Sequence, residues 1–304
     1  MTSLKNQSAS QNTYIFDTES PTELARLINQ DRIVTKVQGV VSGISQPHRL
    51  RTILDLGCGP GGWCLDCAFL LPLAEVKGVD ISQSMVDYAN ARARTQRLKN
   101  ASFGVMDITR PFEFPHASCD LVNARFLAAV LKREAWEPFL TECTRVLRPG
   151  GYLRLTEGAD FGLTSSEAVN TLMDLTRAAL YQLGYGFVAD QDLGLLPAFL
   201  SFFKREEYQH LTILSHPLNY SAKTEAWADT YHNIDIIAQH MLPVLLDLEL
   251  LSESMFTFLY QQAMIDVQMD TFCGLGHVTT IVGQKPPVGV VLQKNLSSSK
   301  RGIL

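Results

Sequence analysis

The sequence has little of what a nucleic-acid-binding, secreted or membrane-spanning protein needs. Its 26 lysines and arginines stand against 31 aspartates and glutamates, a formal net charge of −5, whereas a phosphate backbone favours a basic face. Six cysteines in 304 residues are too sparse for a disulfide scaffold, so buried reduced thiols are the simplest interpretation. The start, MTSLKNQSASQNTY, lacks an apolar region, and no run of 18 apolar residues occurs, so neither a signal peptide nor a membrane span is expected. These features predict a cytoplasmic protein with no nucleic-acid or membrane partner.

Metal-binding motifs are also missing. Cys64 and Cys67 form a CxxC inside a segment that we predict to be helical, and no second CxxC or histidine pair accompanies them. A structural zinc ion takes four such ligands, and the HExxH pattern of zinc proteases does not occur. No metal site is therefore predicted.

What the sequence does contain is a regular alternation of strand-like and helix-like segments after Arg51. The predicted strands of this stretch are 52–56, 75–80, 101–107, 119–123 and 152–157. Strands that alternate with helices form a parallel sheet with helices on both faces, and right-handed crossovers make it doubly wound. After Glu157 the pattern changes to two helical stretches, with further strands at 210–220 and 277–285. We predict an α/β protein with a Rossmann-like sheet and a helical cap formed by insertions.

The boundaries of this organisation divide the chain into four parts. They are an N-terminal tail and lid helix (1–45), a Rossmann-like core (46–158), helical cap insertions that include one core strand (159–275), and a closing strand with a flexible tail (276–304).

The most informative segment is DLGCGPGG, in which glycines at 57, 59 and 61 follow the first strand and precede a helix. Alternate glycines allow a sharp turn and a close approach of the backbone to a ligand. The helix start that follows offers unpaired N–H groups and the positive end of the helix dipole. Dinucleotide-binding proteins place a similar glycine motif at this point, so a dinucleotide is the first competing ligand.

Polar residues close the next three strands. Asp80 ends the second strand, and an acid there can hold two ribose hydroxyls. Asp107 ends the third strand, where a carboxylate can accept a hydrogen bond from an adenine amine, and Asn123 ends the fourth. We expect these residues to meet at one edge of the sheet.

Taken in order, DLGCGPGG, VDIS, MDIT, NARF and LRPGG resemble the class I S-adenosylmethionine (SAM) methyltransferases. The resemblance covers residues 50–157 and the closing strand, and it implies a seven-stranded sheet with an antiparallel last strand and SAM as the cofactor. It also implies that the glycine turn cradles the methionine part of SAM, that Asp80 binds the ribose and that Asp107 meets the adenine. Met85 would pack on the adenine, and Asn123 would contact the methionine end. The neighbouring residues Cys58, Ile81 and Ile108 are included in the predicted cofactor site.

The N-terminal segment YIFDTESPTELARLINQDR resembles the lid helix of small-molecule members of that family. The resemblance implies that Tyr14, Arg26 and Gln30 face the cofactor. A solvated helix face is the alternative interpretation of Arg26 and Gln30.

No catalytic residue stands out, and His277, at the start of the last strand, is the best-placed histidine for proton transfer. The apolar strings LLPAFLSFF and MLPVLLDLELL fit either a cap packed on itself or an apolar substrate pocket. The hypothesis favoured by these features is a SAM-dependent methyltransferase acting on a small, fairly apolar metabolite. An RNA or protein methyltransferase, and a SAM-binding protein that catalyses a non-methylating rearrangement, are the alternatives. The acceptor atom and the oligomeric state are left open.

Overall fold

The computed structural model describes residues 20–189 and 193–287, apart from the side chains of 159–161. The strands are β1 (Thr52–Leu56), β2 (Glu75–Asp80), β3 (Ala101–Val105), β4 (Cys119–Arg125), β5 (Leu147–Thr164), β6 (Gln209–Asn219) and β7 (Gly274–Gln284). The helices are α1 (Pro21–Gln38), α2 (Gly62–Leu70), α3 (Gln83–Thr95), α4 (Trp136–Val146), α5 (Glu167–Gln182), α6 (Leu195–Arg205), α7 (Trp227–Asp247) and α8 (Glu253–Gln268). None of the helices in these residues combines the length and the hydrophobicity that a membrane span requires.

The seven strands form one sheet in the order β3-β2-β1-β4-β5-β7-β6. Strands β1 to β5 pair in parallel, and β7 runs antiparallel to both β5 and β6. The strand order reverses direction at β1 and β4, where an open parallel sheet leaves a crevice at the carboxyl ends of its strands. The predicted Rossmann-like sheet with an antiparallel last strand is confirmed.

Apolar side chains fill a layer on each face of this sheet. One layer contains Trp136 and Phe139 from α4 together with Leu153 and Ile281 from the sheet, and the other contains Trp63 and its neighbours from α2. A third apolar cluster joins α5, α7 and α8 to Ile33 of α1. That third cluster is the helical cap.

The helix α6 lies against the sheet, whereas the apolar string LLPAFLSFF predicts a cap helix. Phe199, Phe202 and Phe203 belong to the same buried cluster as Trp136, and the Phe199 and Trp136 ring centroids are 4.9 Å apart. The prediction that this string packs in the cap is wrong, because its apolar face covers the sheet beside α4.

Strand β5 is longer than predicted at both ends. Cys119 pairs with Leu147 and Leu121 with Tyr152, so the intervening ArgProGlyGly segment is a bulge in the strand rather than a turn before it. Proline has no N–H for a ladder hydrogen bond, which makes a bulge the position in a strand that accepts it. Strand β5 therefore starts beside α4 and extends past the sheet edge towards the cap.

Candidate active site

A cavity of about 410 Å³ lies at the carboxyl edge of the sheet, below the cap. Its floor is formed by the ends of β1, β2, β4 and β5, and its walls come from α1, α5 and α7. The predicted site residues that line it are Arg26, Gln30, Gly57, Cys58, Gly59, Asp80, Ile81, Met85, Asp107, Ile108 and His277. Residues far apart in the chain thus meet where the sequence predicted.

The glycine turn after β1 brings the backbone to the cavity. Gly57 has a φ of +67°, and a Cβ there would lie 2.8 Å from Cδ2 of Leu127, so both conformation and space favour glycine. The N–H of Cys58 donates to the Val79 carbonyl at 2.9 Å, which ties the turn to β2. Main-chain groups of Gly57 and Gly59 therefore line the cavity without an intervening side chain.

Gly61 has a structural role instead. It precedes α2 with a φ of +76°, and a Cβ there would lie 2.6 Å from the Phe103 ring and 2.7 Å from Cβ of Ala89. It lies outside the cavity lining, because its α-carbon faces the packed side of α3 and β3. The prediction that Gly61 contacts the cofactor is replaced by a role in turning the chain into α2.

Asp80 joins the second strand to the glycine turn. Its Oδ2 accepts a hydrogen bond from the Gly59 N–H at 2.8 Å, and its Oδ1 accepts one from the Ser82 N–H at 3.0 Å. Burial raises the pKa of this carboxyl, while the backbone N–H donors oppose the shift. A carboxylate has about four acceptor positions, so Asp80 retains capacity for ligand hydroxyls.

Asp107 lines the same cavity beyond β3. Its Oδ1 accepts hydrogen bonds from the N–H and the hydroxyl of Thr109, at 2.9 and 2.6 Å. The two predicted carboxylates therefore converge on one crevice, as the hypothesis required.

Helix α1 covers the crevice with a buried polar cluster. Nε and Nη2 of Arg26 each donate to Glu23 at 2.7 Å, and Nη1 donates to Oε1 of Gln30 at 2.8 Å. Arg26 is only 7% exposed, which excludes a solvated helix face for it. Tyr14, the third residue expected from this segment, lies outside the described residues.

Arg125 and Asp31 form an ion pair at the cavity wall that the sequence analysis missed. Nη2 of Arg125 donates to Oδ1 of Asp31, and Nη1 donates to the Thr35 hydroxyl at 3.2 Å. The Asp31 carboxylate lies over the start of α2, where a Cβ at Gly62 would overlap its Oδ2. Arg125 belongs to the NARF motif already noted, but no local pattern marked Asp31.

Asn123 is buried in the sheet and does not line the cavity. Its Nδ2 donates to Oδ1 of Asp55 at 2.7 Å, and its Oδ1 accepts from Nη1 of Arg154 at 2.8 Å. Burial raises the pKa of Asp55 to about 6, against the opposing effect of the Arg125 charge. The prediction that Asn123 contacts the methionine end is corrected: β4 continues to Arg125, so Asn123 ends up inside the sheet.

Glu157, in the middle of β5 and just past its last residue paired with β4, is another residue that sequence reasoning missed. Its side chain is 3% exposed and lines the cavity, and its Oε1 accepts the Leu127 N–H at 2.7 Å. Burial raises the pKa of this carboxyl to about 8. His277, the predicted catalytic candidate, lines the same cavity and is half-buried.

The cap side of the cavity is apolar or neutral. Among the described residues of α5 and α7, the lining consists of Met173, Thr176, Leu180, Thr230, Asn233, Ile234 and Ile237. A mostly apolar wall with a few neutral polar groups is typical of small-molecule sites.

Both cysteines of the CxxC, Cys64 and Cys67, lie in α2 as buried thiols. Cys64 donates its S–H to Oδ2 of Asp55 at 3.3 Å, and burial raises the pKa of Cys64 and of Cys67. Within the described part of the chain, no group of three or more histidine, cysteine or acidic residues is arranged to hold a metal ion.

Comparison with known proteins matches residues 53–151 to a family model described as a methyltransferase domain. An uncharacterized methyltransferase of Schizosaccharomyces pombe is 31% identical over 38% of this chain and 49% of its own length. A demethylmenaquinone methyltransferase of Lactococcus lactis is 31% identical over 38% of this chain and 42% of its own length. The chain thus spans about half the length of these relatives, or less. Among solved structures, a Haemonchus contortus phosphoethanolamine N-methyltransferase with bound S-adenosylhomocysteine aligns with 87% of this chain and 57% of its own, at 17% identity and a TM-score of 0.48.

Proposed function

We propose that the chain is a class I SAM-dependent methyltransferase that methylates a small, largely apolar organic molecule. The match of residues 53–151 to a methyltransferase domain supports the first part of the proposal. The observation that carries the proposal is the single cavity that joins the motif residues of the sheet edge to the apolar cap. A cytoplasmic location remains a prediction.

The residues of the sheet edge fit SAM. Asp80 has acceptor capacity for the ribose hydroxyls, and Asp107 carries a carboxylate on the same cavity that can accept from an adenine amine. Asp31 and Arg125 offer one charge of each sign on the wall beside the glycine turn, which matches the ammonium and carboxylate of an amino-acid moiety. When bound, SAM supplies a methyl group that is already electrophilic.

The chain's remaining task is to hold the acceptor in line and keep water out. Orientation of the reacting groups contributes up to roughly 7–11 kcal/mol in well-placed systems. The apolar side chains of α5 and α7 can exclude water from the acceptor. The same wall disfavours a highly charged acceptor such as RNA, because it offers no cation in its described residues.

The cofactor assignment is tested by calorimetric titration of SAM against the wild type and Asp80→Ala. We expect about a 10- to 100-fold loss of affinity, because hydrogen bonds to a charged group contribute about 1.5–3 kcal/mol. Asp87→Ala is the matched control, since Asp87 is an exposed acid on the adjacent helix α3. Equal affinity in wild type and Asp80→Ala, or no affinity in either, would remove SAM from the proposal.

The substrate class is tested with isotope-labelled SAM and three separate acceptor pools: a metabolite extract, bulk tRNA and peptides. We expect label in an organic-extractable product of the metabolite pool, with a mass gain of one CH₂. Label confined to tRNA or peptides would overturn the small-molecule assignment. Conversion of a metabolite without a mass gain would indicate a rearrangement instead.

A further inference from the structure

We propose that Glu157 is the catalytic base that accepts the proton released by the methyl acceptor. This role rests on the proposed methyl transfer. Glu157 directly follows Thr156, the last residue of β5 that pairs with β4, and it lines the cavity. It replaces His277 as the favoured proton acceptor because His277 is half-buried, whereas Glu157 is almost completely enclosed.

The position of Glu157 is set by contacts that lead back to the glycine turn. Its Oε1 accepts the Leu127 N–H at 2.7 Å. The Leu127 side chain in turn lies against Gly57, close enough that a Cβ at Gly57 would be 2.8 Å away. Glu157 is therefore fixed, through Leu127, beside the turn that would hold the cofactor, and it lines a cavity whose cap wall is neutral.

The charge environment distinguishes Glu157 from a structural ion pair. The other charged or titratable residues around the cavity are Arg26, Asp31, Cys58, Asp80, Asp107, Arg125, Tyr220 and His277. Arg26 bonds to Glu23 and Gln30, and Arg125 bonds to Asp31. Among the described residues, no cation pairs with Glu157, and α5 and α7 contribute only uncharged side chains to this wall. A buried carboxyl without a cationic partner is costly, and where it lines a cavity it is a candidate functional group.

The proposed step balances in atoms and charge. The acceptor atom forms a bond to the methyl carbon, the carbon–sulfur bond breaks, and its electron pair stays on sulfur. The proton that the acceptor atom carried passes to the ionised carboxylate of Glu157. A positioned general base of this kind accelerates a reaction by about 10²–10⁴-fold.

The pH dependence of the reaction follows from the burial of Glu157. Burial raises the pKa of its carboxyl to about 8, while the N–H groups of Leu127 and Ala128 oppose the shift. The group is a base only when ionised, and that form grows as the pH rises towards the folded-state pKa. We therefore expect kcat/KM to increase with pH and to level off above about pH 8.

The experiment compares wild type, Glu157→Gln and Glu142→Gln by transfer of labelled methyl from SAM into a metabolite extract between pH 6 and 9. Glutamine at 157 keeps the acceptor for the Leu127 N–H but cannot take a proton. Glu142 is the matched control, because it also accepts a backbone N–H, that of Phe112 at 2.7 Å, yet lies away from the cavity. SAM affinity by calorimetry and melting temperature are measured for these three proteins and for His277→Asn, which tests the alternative proton acceptor.

We expect Glu157→Gln to lose about 10²–10⁴-fold in rate and the rise with pH, with SAM affinity and melting temperature close to wild type. The Glu142→Gln control should keep the wild-type rate and pH profile. A wild-type rate in Glu157→Gln would show that the carboxyl only anchors the Leu127 loop. This result would overturn the catalytic role of Glu157 but not the proposed methyl transfer. A pH-dependent limb that persists in Glu157→Gln but disappears in His277→Asn would assign the proton to the histidine. If wild type labels no acceptor at all, the proposed function and this role fall together.

Discussion

The two halves of the cavity are built on different physical principles. The sheet half, comprising the glycine turn with Asp80 and Asp107, is held by hydrogen bonds between side chains and main chain, such as Gly59 N–H to Asp80 at 2.8 Å. The cap half, comprising the lining residues of α5 and α7, is held by apolar packing within the cluster of α5, α7 and α8. Directional bonds fix atoms precisely, whereas apolar packing fixes volume and polarity. One half therefore suits recognition of one defined ligand, and the other suits selection by size and apolar character.

Helix α1 connects the two halves. Its Asp31 and Thr35 bond to Arg125 of β4, and its Arg32 pairs with Glu225 and with Asp229 of α7. The contacts with the sheet side are largely buried, while Arg32 is 51% exposed. The cap is thus joined to α1 by exposed ion pairs and by the apolar cluster that includes Ile33, whereas α1 is joined to the sheet by the largely buried Arg125–Asp31 pair.

We expect the largest effect from Gly61→Val, which changes the glycine turn of the sheet half. A branched side chain would overlap the Phe103 ring and Ala89 at a positive φ, so overpacking and backbone strain act together. We expect loss of SAM binding and a clearly lower melting temperature, measured by calorimetry and circular dichroism. Gly104→Ala is the control, because a Cβ there meets nothing within 4 Å. Normal SAM affinity in Gly61→Val would show that the turn tolerates a side chain.

We expect the second-largest effect from Arg125→Leu, which removes the ion pair between α1 and the sheet and lowers the free energy of unfolding. Removing one partner of a buried pair leaves the Asp31 charge uncompensated and costs about 3 kcal/mol. Urea unfolding measures this loss, and Arg32→Leu serves as the comparison, with an expected change within about 1 kcal/mol. Similar losses in the two variants would contradict the distinction between buried and surface attachment.

The smallest effect is confined to the cap half. Ile237→Asp places a charge on the apolar wall, which should raise the KM for the acceptor about tenfold or more, while SAM affinity changes less than twofold. Ile236→Asp is the control, since Ile236 is the adjacent residue on α7 but does not line the cavity. Steady-state kinetics with the labelled acceptor checks the first value and calorimetry the second. A parallel loss of SAM affinity in Ile237→Asp would mean that the halves are not separate.

Local patterns predicted most of the sheet. The bounds of β1 and β2 agree with the predicted 52–56 and 75–80, and α1 begins at Pro21 with proline at its first helical position. Neighbouring residues are enough to predict these elements: short apolar runs and a glycine turn for the strands, and proline at the first helical position for α1. The assignment of α6 failed because an apolar helix face does not specify which surface will cover it.

The sequence by itself determined the Rossmann-like order, the glycine turn and the positions of Asp80 and Asp107, because each follows from residues next to one another in the chain. Only the tertiary structure decided that Asp31 meets Arg125, that Asn123 is enclosed in the sheet and that Glu157 is buried without a cation. These outcomes depend on contacts between residues that are 30 to 94 positions apart, and the loss of water around a side chain is a property of the folded shape.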